Sequence, residues 1–112
     1  MTLAHLVIDT DSLRHGAARA VAALKLLANE DRLLLLCQLS QGELCVSELE
    51  AQLGIRQPTL SQQLGVLRDE ALVTTRREGK QIFYSIASSE AMAVMQVLYQ
   101  LYCDKPNGAR LT

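Results

Sequence analysis

With 112 residues the chain has room for one domain, and at 49% hydrophobic it carries more apolar surface than so small a core needs, which points the excess toward a subunit interface. A formal net charge of −1 excludes a protein that holds nucleic acid through overall positive charge, so any DNA contact must come from a local basic patch that dimerisation doubles. No stretch approaches eighteen unbroken apolar residues, and Met1–His5 lacks a basic segment leading into an apolar run; the expectation is a cytoplasmic protein with no membrane span and reduced thiols.

Residues 1–10 have no clear periodicity and are expected to form a flexible N-terminus. A single folded domain is expected over 11–104. From Asp11 a helix is predicted, with Ala17, Ala20, Val21, Leu24 and Leu27 on one stripe. Asn29 caps a second helix carrying Leu33 to Leu39, which ends near Gly42. Ser47-Glu48-Leu49-Glu50 resembles a capping box, with Glu50 reaching back to a Ser47 cap; that helix stops at Gly54. After a tight turn at Ile55-Arg56, a fourth helix begins near Gln57-Pro58, proline being tolerated in a first turn, and buries Leu60, Leu64 and Leu67.

Leu72 to Arg77 and Lys80 to Ile86 flank Glu78-Gly79, which is a hairpin signal. Ser88-Ser89-Glu90 caps a last helix striped with Met92, Met95, Leu98, Tyr99 and Tyr102. Asp104 to Thr112, with Pro106 and Gly108, reads as a frayed end, and 105–112 as a flexible tail. The order is mainly α with a small β-hairpin, ααααββα: a winged helix-turn-helix whose first and last helices are left over for a homodimer interface.

The outward face of the fourth helix offers Gln57, Thr59, Ser61, Gln62 and Gln63. A helix face meant only for solubility prefers Glu and Lys, whereas Gln pairs bidentately with adenine in the major groove. Arg56 and Arg68 flank the helix and suit backbone phosphates; Arg76, Arg77 and Lys80 on the wing reach toward an adjacent groove or backbone. Cys37 and Cys103 both sit among apolar residues, so from the residues alone they read first as small buried packing groups, with reactive thiols as the other reading. There is no C-x-x-C motif, no recognisable Cys–His pairing and no Gly-rich cofactor loop, so no enzyme, catalytic residue or cofactor is expected.

The segments E-L-C-V-S-E-L-E, Q-P-T-L-S-Q-Q-L-G-V-L-R and R-R-E-G-K-Q-I-F-Y-S-I resemble the ArsR/SmtB repressors, over roughly residues 15–104. L-L-C-Q-L around Cys37 and L-Y-C-D around Cys103 are similar to the BigR/SqrR/HlyU branch, which carries one cysteine in the second helix and one at the end of the last. The resemblance implies a homodimer that occupies an inverted-repeat operator in double-stranded DNA when reduced. It leaves when the Cys37–Cys103 pair is oxidised by peroxide or bridged by reactive sulfur from sulfide or a low-molecular-weight persulfide. A metal- or arsenite-responsive repressor is the alternative within the family. Arsenic-sensing relatives read Cys-Val-Cys where this chain has Cys45-Val46-Ser47, and the last helix from Ser89 to Cys103 has none of the histidines of zinc-sensing relatives. His5 and His15 are both N-terminal, which leaves a His5/Cys45 pairing as the residual metal candidate. No metal site is expected.

Overall fold

The computed structural model describes residues 9–103. They form α1 (Thr10–Leu27), α2 (Glu30–Leu39), β1 (Leu44–Cys45), α3 (Val46–Leu53), α4 (Thr59–Asp69), β2 (Val73–Glu78), β3 (Gln81–Ile86) and α5 (Ser89–Tyr102). The helix-turn-helix, wing and flanking helices follow the expected order. Of the flexible ends expected at 1–10 and 105–112, residues 1–8 and 105–112 lie outside the described residues, while Asp9 caps α1 and Thr10 opens it.

Helix starts are set by side chains that satisfy otherwise orphaned N–H groups, each cap stabilising by about 1 kcal/mol. Asp9 Oδ2 accepts from Ser12 N–H at 3.0 Å, so α1 begins at Thr10, a residue earlier than the periodicity suggested. Asn29 Oδ1 accepts from Arg32 N–H at 3.0 Å, as expected, and Ser88 Oγ accepts from Ala91 N–H at 3.0 Å.

Two further starts differ from expectation. The N-cap of α3 is Cys45, not Ser47; its backbone N–H donates to Glu48 Oε1 at 2.9 Å, in place of the Ser47–Glu50 box. The reason is a strand the hairpin signal did not include. Leu44 and Cys45 pair antiparallel with Tyr84 and Phe83, which holds Cys45 extended and lets the helix begin immediately after it. On α4, Pro58 occupies the N-cap rather than the first turn, and Gln57 Oε1 accepts the Ser61 N–H at 3.1 Å from outside the helix.

The sheet is therefore three-stranded, order β1-β3-β2, all antiparallel. Its long pair runs from Val73↔Ile86 to Glu78↔Gln81, with Gly79 at φ 65° in the turn, a conformation glycine adopts without steric cost. Leu35, Leu36 and Leu39 of α2, Leu49 of α3, Leu60, Leu64 and Leu67 of α4, Val73, Tyr84 and Met95 close one core. That core fixes α4 from behind, and the three expected leucines are the ones it buries.

α1 and α5 are different. Of the expected α1 stripe only Leu27 is buried; Val21 is 49% and Leu24 58% exposed. On α5, Met95 is buried, while Leu101 is 61% and Tyr102 69% exposed. A single chain leaves these apolar faces in water.

Candidate DNA interface and cysteine pair

Gly54, at φ 72°, ends α3 in the left-handed region and donates its N–H to the Glu50 carbonyl at 2.9 Å. Ile55 is buried in the turn, which swings the chain into α4 with its leucine face on the core. The opposite side then carries Ser61, Gln62 and Arg68, all exposed, with Arg56 and Gln57 exposed just ahead of the helix and Thr59 half-buried. The Gln62 side chain is exposed, whereas Gln57 is engaged locally with Ser61.

Gln63 sits elsewhere. It is half-buried, and its Oε1 accepts from Arg32 Nη1 at 2.9 Å. The same guanidinium donates from Nε to the Leu26 carbonyl at 2.6 Å and from Nη2 to the Lys25 carbonyl at 3.3 Å. One α2 side chain thus ties the open carbonyls at the end of α1 to the flank of α4. The sequence alone gives Arg32 no expected role, although a positive charge shortly after the end of α1 was an available signal.

Gly65 stands in the middle of α4 on its outward side, one turn after Ser61 and Gln62 and one turn before Arg68 and Asp69. A Cβ built there meets nothing within 4 Å, and glycine inside a helix costs about 1 kcal/mol relative to alanine.

The wing divides its three cations. Arg76 donates from Nε and Nη2 to both Glu43 carboxylate oxygens at 2.8 Å, and from Nη1 to Glu78 at 3.1 Å. It also lies over the Phe83 ring at 4.6 Å. The hydrogen bond from Arg76 holds the Glu43 carboxyl below its usual range, and Glu43 in turn raises Arg76 further. Arg76 therefore braces the hairpin against the segment before β1. Arg77 and Lys80 are exposed and form no ion pair among the described residues.

All three cysteines are free thiols. Cys37 on α2 and Cys103 at the C-cap of α5 open on one cavity of about 150 Å³, lined otherwise by Glu30, Leu33 and Leu34. Cys37 is half-buried, with Sγ 3.9 Å from Met95 Sδ; Cys103 is exposed. Burial pushes the Cys37 thiol above its ordinary pKa, and a neighbouring Cys103 thiolate raises it further. Cys45 is buried at the start of α3, 3.2 Å from Ser47 Oγ, and away from that cavity's lining. Among the described residues no three of His, Cys, Asp and Glu gather where they could hold a metal ion. None of the described helices is long and apolar enough to cross a membrane.

Comparison with known proteins agrees with this geometry. The model of the family described as "Bacterial regulatory protein, arsR family" matches residues 29–75, from the α2 cap into β2. The chain is similar to the biofilm growth-associated repressor of Agrobacterium fabrum, 51% identical over 96 residues, covering 86% of this chain and 82% of that one. It is similar to the transcriptional activator HlyU of Vibrio cholerae, 42% identical over 97 residues, covering 87% and 90%. Among solved structures, the transcriptional repressor BigR from Xylella fastidiosa superposes with a TM-score of 0.80 at 42% identity, over 92% of this chain and all of that one. These relatives are transcriptional regulators, not enzymes. The chain belongs to the arsR family of bacterial regulatory proteins, DNA-binding transcription regulators built on a winged helix-turn-helix.

Proposed function

We propose that the chain is a homodimeric repressor that occupies an inverted-repeat operator while Cys37 and Cys103 are reduced, and leaves when reactive sulfur or an oxidant joins them. The observation that carries this reading is the shared cavity: two thiols far apart in sequence, on α2 and at the end of α5, face the same small space. The repressor sense is carried by likeness to the biofilm growth-associated repressors.

Gln62 and Ser61 read base edges, Arg56, Arg68, Arg77 and Lys80 contact phosphates, and Gln57 and Thr59 order the helix entry. Arg76 and Gln63 act one step back, holding the wing and α4 in place. The uncovered apolar faces of α1 and α5 pair the two copies, so that the recognition helices stand about one duplex turn, ~34 Å, apart.

Cys103, exposed, makes the first attack, since burial disfavours the Cys37 thiolate. Its thiolate takes the outer sulfur of a low-molecular-weight persulfide, releasing that molecule's thiolate and leaving a persulfide on Cys103. The Cys37 thiolate then attacks Cys103 Sγ and expels hydrosulfide. Two protein thiols are oxidised to a disulfide, the persulfide is reduced to thiol plus sulfide, and the thiol protons pass to solvent. Where a second persulfide molecule has first converted Cys37 to its own persulfide, the terminal sulfur on Cys37 attacks Cys103 Sγ, expels hydrosulfide and leaves a three-sulfur bridge instead. Either bridge tethers the core helix α2 to the interface helix α5 and alters the spacing of the two α4 helices.

The test is fluorescence anisotropy on an inverted-repeat duplex recovered from a random pool by the reduced protein. Glutathione persulfide is expected to release wild type, while Cys37→Ser and Cys103→Ser stay bound. Release of both variants by arsenite or zinc, with persulfide inert on wild type, would replace this reading with a metal-responsive one.

A further inference from the structure

We infer that Gly65 is a DNA contact point: the duplex comes into van der Waals contact with the α4 backbone there, at a base edge on the groove floor, in space that a Cβ would fill. The inference rests on the reading of α4 as the recognition helix.

Three observations carry it. Gly65 lies in the interior of an eleven-residue helix, where its backbone freedom is a disadvantage, and its φ is not in the left-handed region that would require glycine. Gly65 is half-buried, yet among the described residues an added Cβ has no neighbour within 4 Å. Helical periodicity sets it beside Ser61 and Gln62 on the side turned away from Leu60, Leu64 and Leu67. The fold therefore gives no reason for a glycine, neither a turn nor a close internal approach. What remains is an approach from outside, by the surface that Gln62 faces. A smooth strip of backbone at the centre of a reading helix lets it sit deeper in the groove, so that the short Ser61 and the Gln62 amide reach base edges rather than stopping at the phosphates.

Gly65→Ala separates this from a structural role because the two signs are opposite. Without DNA, the Gly65→Ala protein is expected to melt a few degrees higher than wild type. On the duplex recovered by wild type from a random pool, its affinity is expected to fall roughly tenfold or more, with affinity for a scrambled duplex unchanged, because loose non-specific complexes do not seat the helix. A higher melting temperature with unchanged operator affinity would overturn the inference. So would a lower melting temperature, since the glycine would then serve the protein's own packing. Gln62→Ala is measured alongside. If it relaxes sequence discrimination while Gly65→Ala does not, the close approach at Gly65 is wrong and the recognition helix stands. If neither matters, the recognition-helix reading falls with it.

Discussion

Gln62 and Gln63 are neighbours of the same type in different environments, and the proposed reading gives them different work. Gln62 is exposed; Gln63 is held by Arg32. Gln62→Ala is expected to cost about 1–3 kcal/mol of discrimination between operator and scrambled DNA and to leave the melting temperature unchanged. Gln63→Ala is expected to lower the melting temperature first. Reversed behaviour, measured by anisotropy and thermal melts, would show that the wrong glutamine has been assigned to the DNA. The wing cations divide in the same way. Arg77→Ala and Lys80→Ala should each reduce the slope of log affinity against log salt by about 0.9 for every phosphate left without its cation, twice that in a symmetric dimer. Arg76→Ala should also destabilise the hairpin. The Glu43 carboxyl titrates lower when folded than when unfolded, so its brace is fully present above the ordinary carboxylate range and is lost as pH falls through the lowered value. The difference in melting temperature between wild type and Glu43→Gln should therefore shrink toward acid; a difference independent of pH would mean the pair contributes nothing.

At the scale of elements, order and type were legible because the physics was local. Leu60, Leu64 and Leu67 recur at helical spacing and are buried as that spacing requires, and Asn29 caps α2 as its side chain allows. What escaped was set by distant partners. No local signal distinguishes Leu44-Cys45 from a loop; it becomes a strand only because Tyr84 and Phe83 arrive beside it, and this moved the α3 cap from Ser47 to Cys45. Of the site, the exposed α4 residues and the free wing cations could be read from residue type and helical phase. The diversion of Arg76 to Glu43 and of Gln63 to Arg32 could not, since both partners lie more than thirty positions away. Arg32 makes an element-scale expectation. Its loss frees the end carbonyls of α1 and the flank of α4 together, a penalty on the order of 2 kcal/mol by denaturant melt. In a double-mutant cycle Arg32→Ala and Gln63→Ala should fall short of additivity. Strict additivity would mean that the bond between α2 and α4 carries no energy.

For the whole molecule, the apolar surface left exposed on α1 and α5 is the feature from which the proposed dimer is argued. Leu24→Glu or Leu101→Glu is expected to yield monomers by sedimentation equilibrium and to weaken operator binding by more than about a hundredfold, because two linked half-sites become one. A variant that stays dimeric would move the interface elsewhere. If DNA and the sulfur bridge favour different spacings of the α4 helices, the coupling must be reciprocal, and bound operator should slow bridging. The most direct measurement follows both properties in one sample. Reduced protein is treated with graded glutathione persulfide, and each aliquot is divided between intact mass spectrometry with peptide mapping and operator anisotropy. The fraction of chains bridged between Cys37 and Cys103 should rise in step with the loss of DNA affinity. Full bridging with affinity intact, or release with both thiols still free, would contradict the proposed switch.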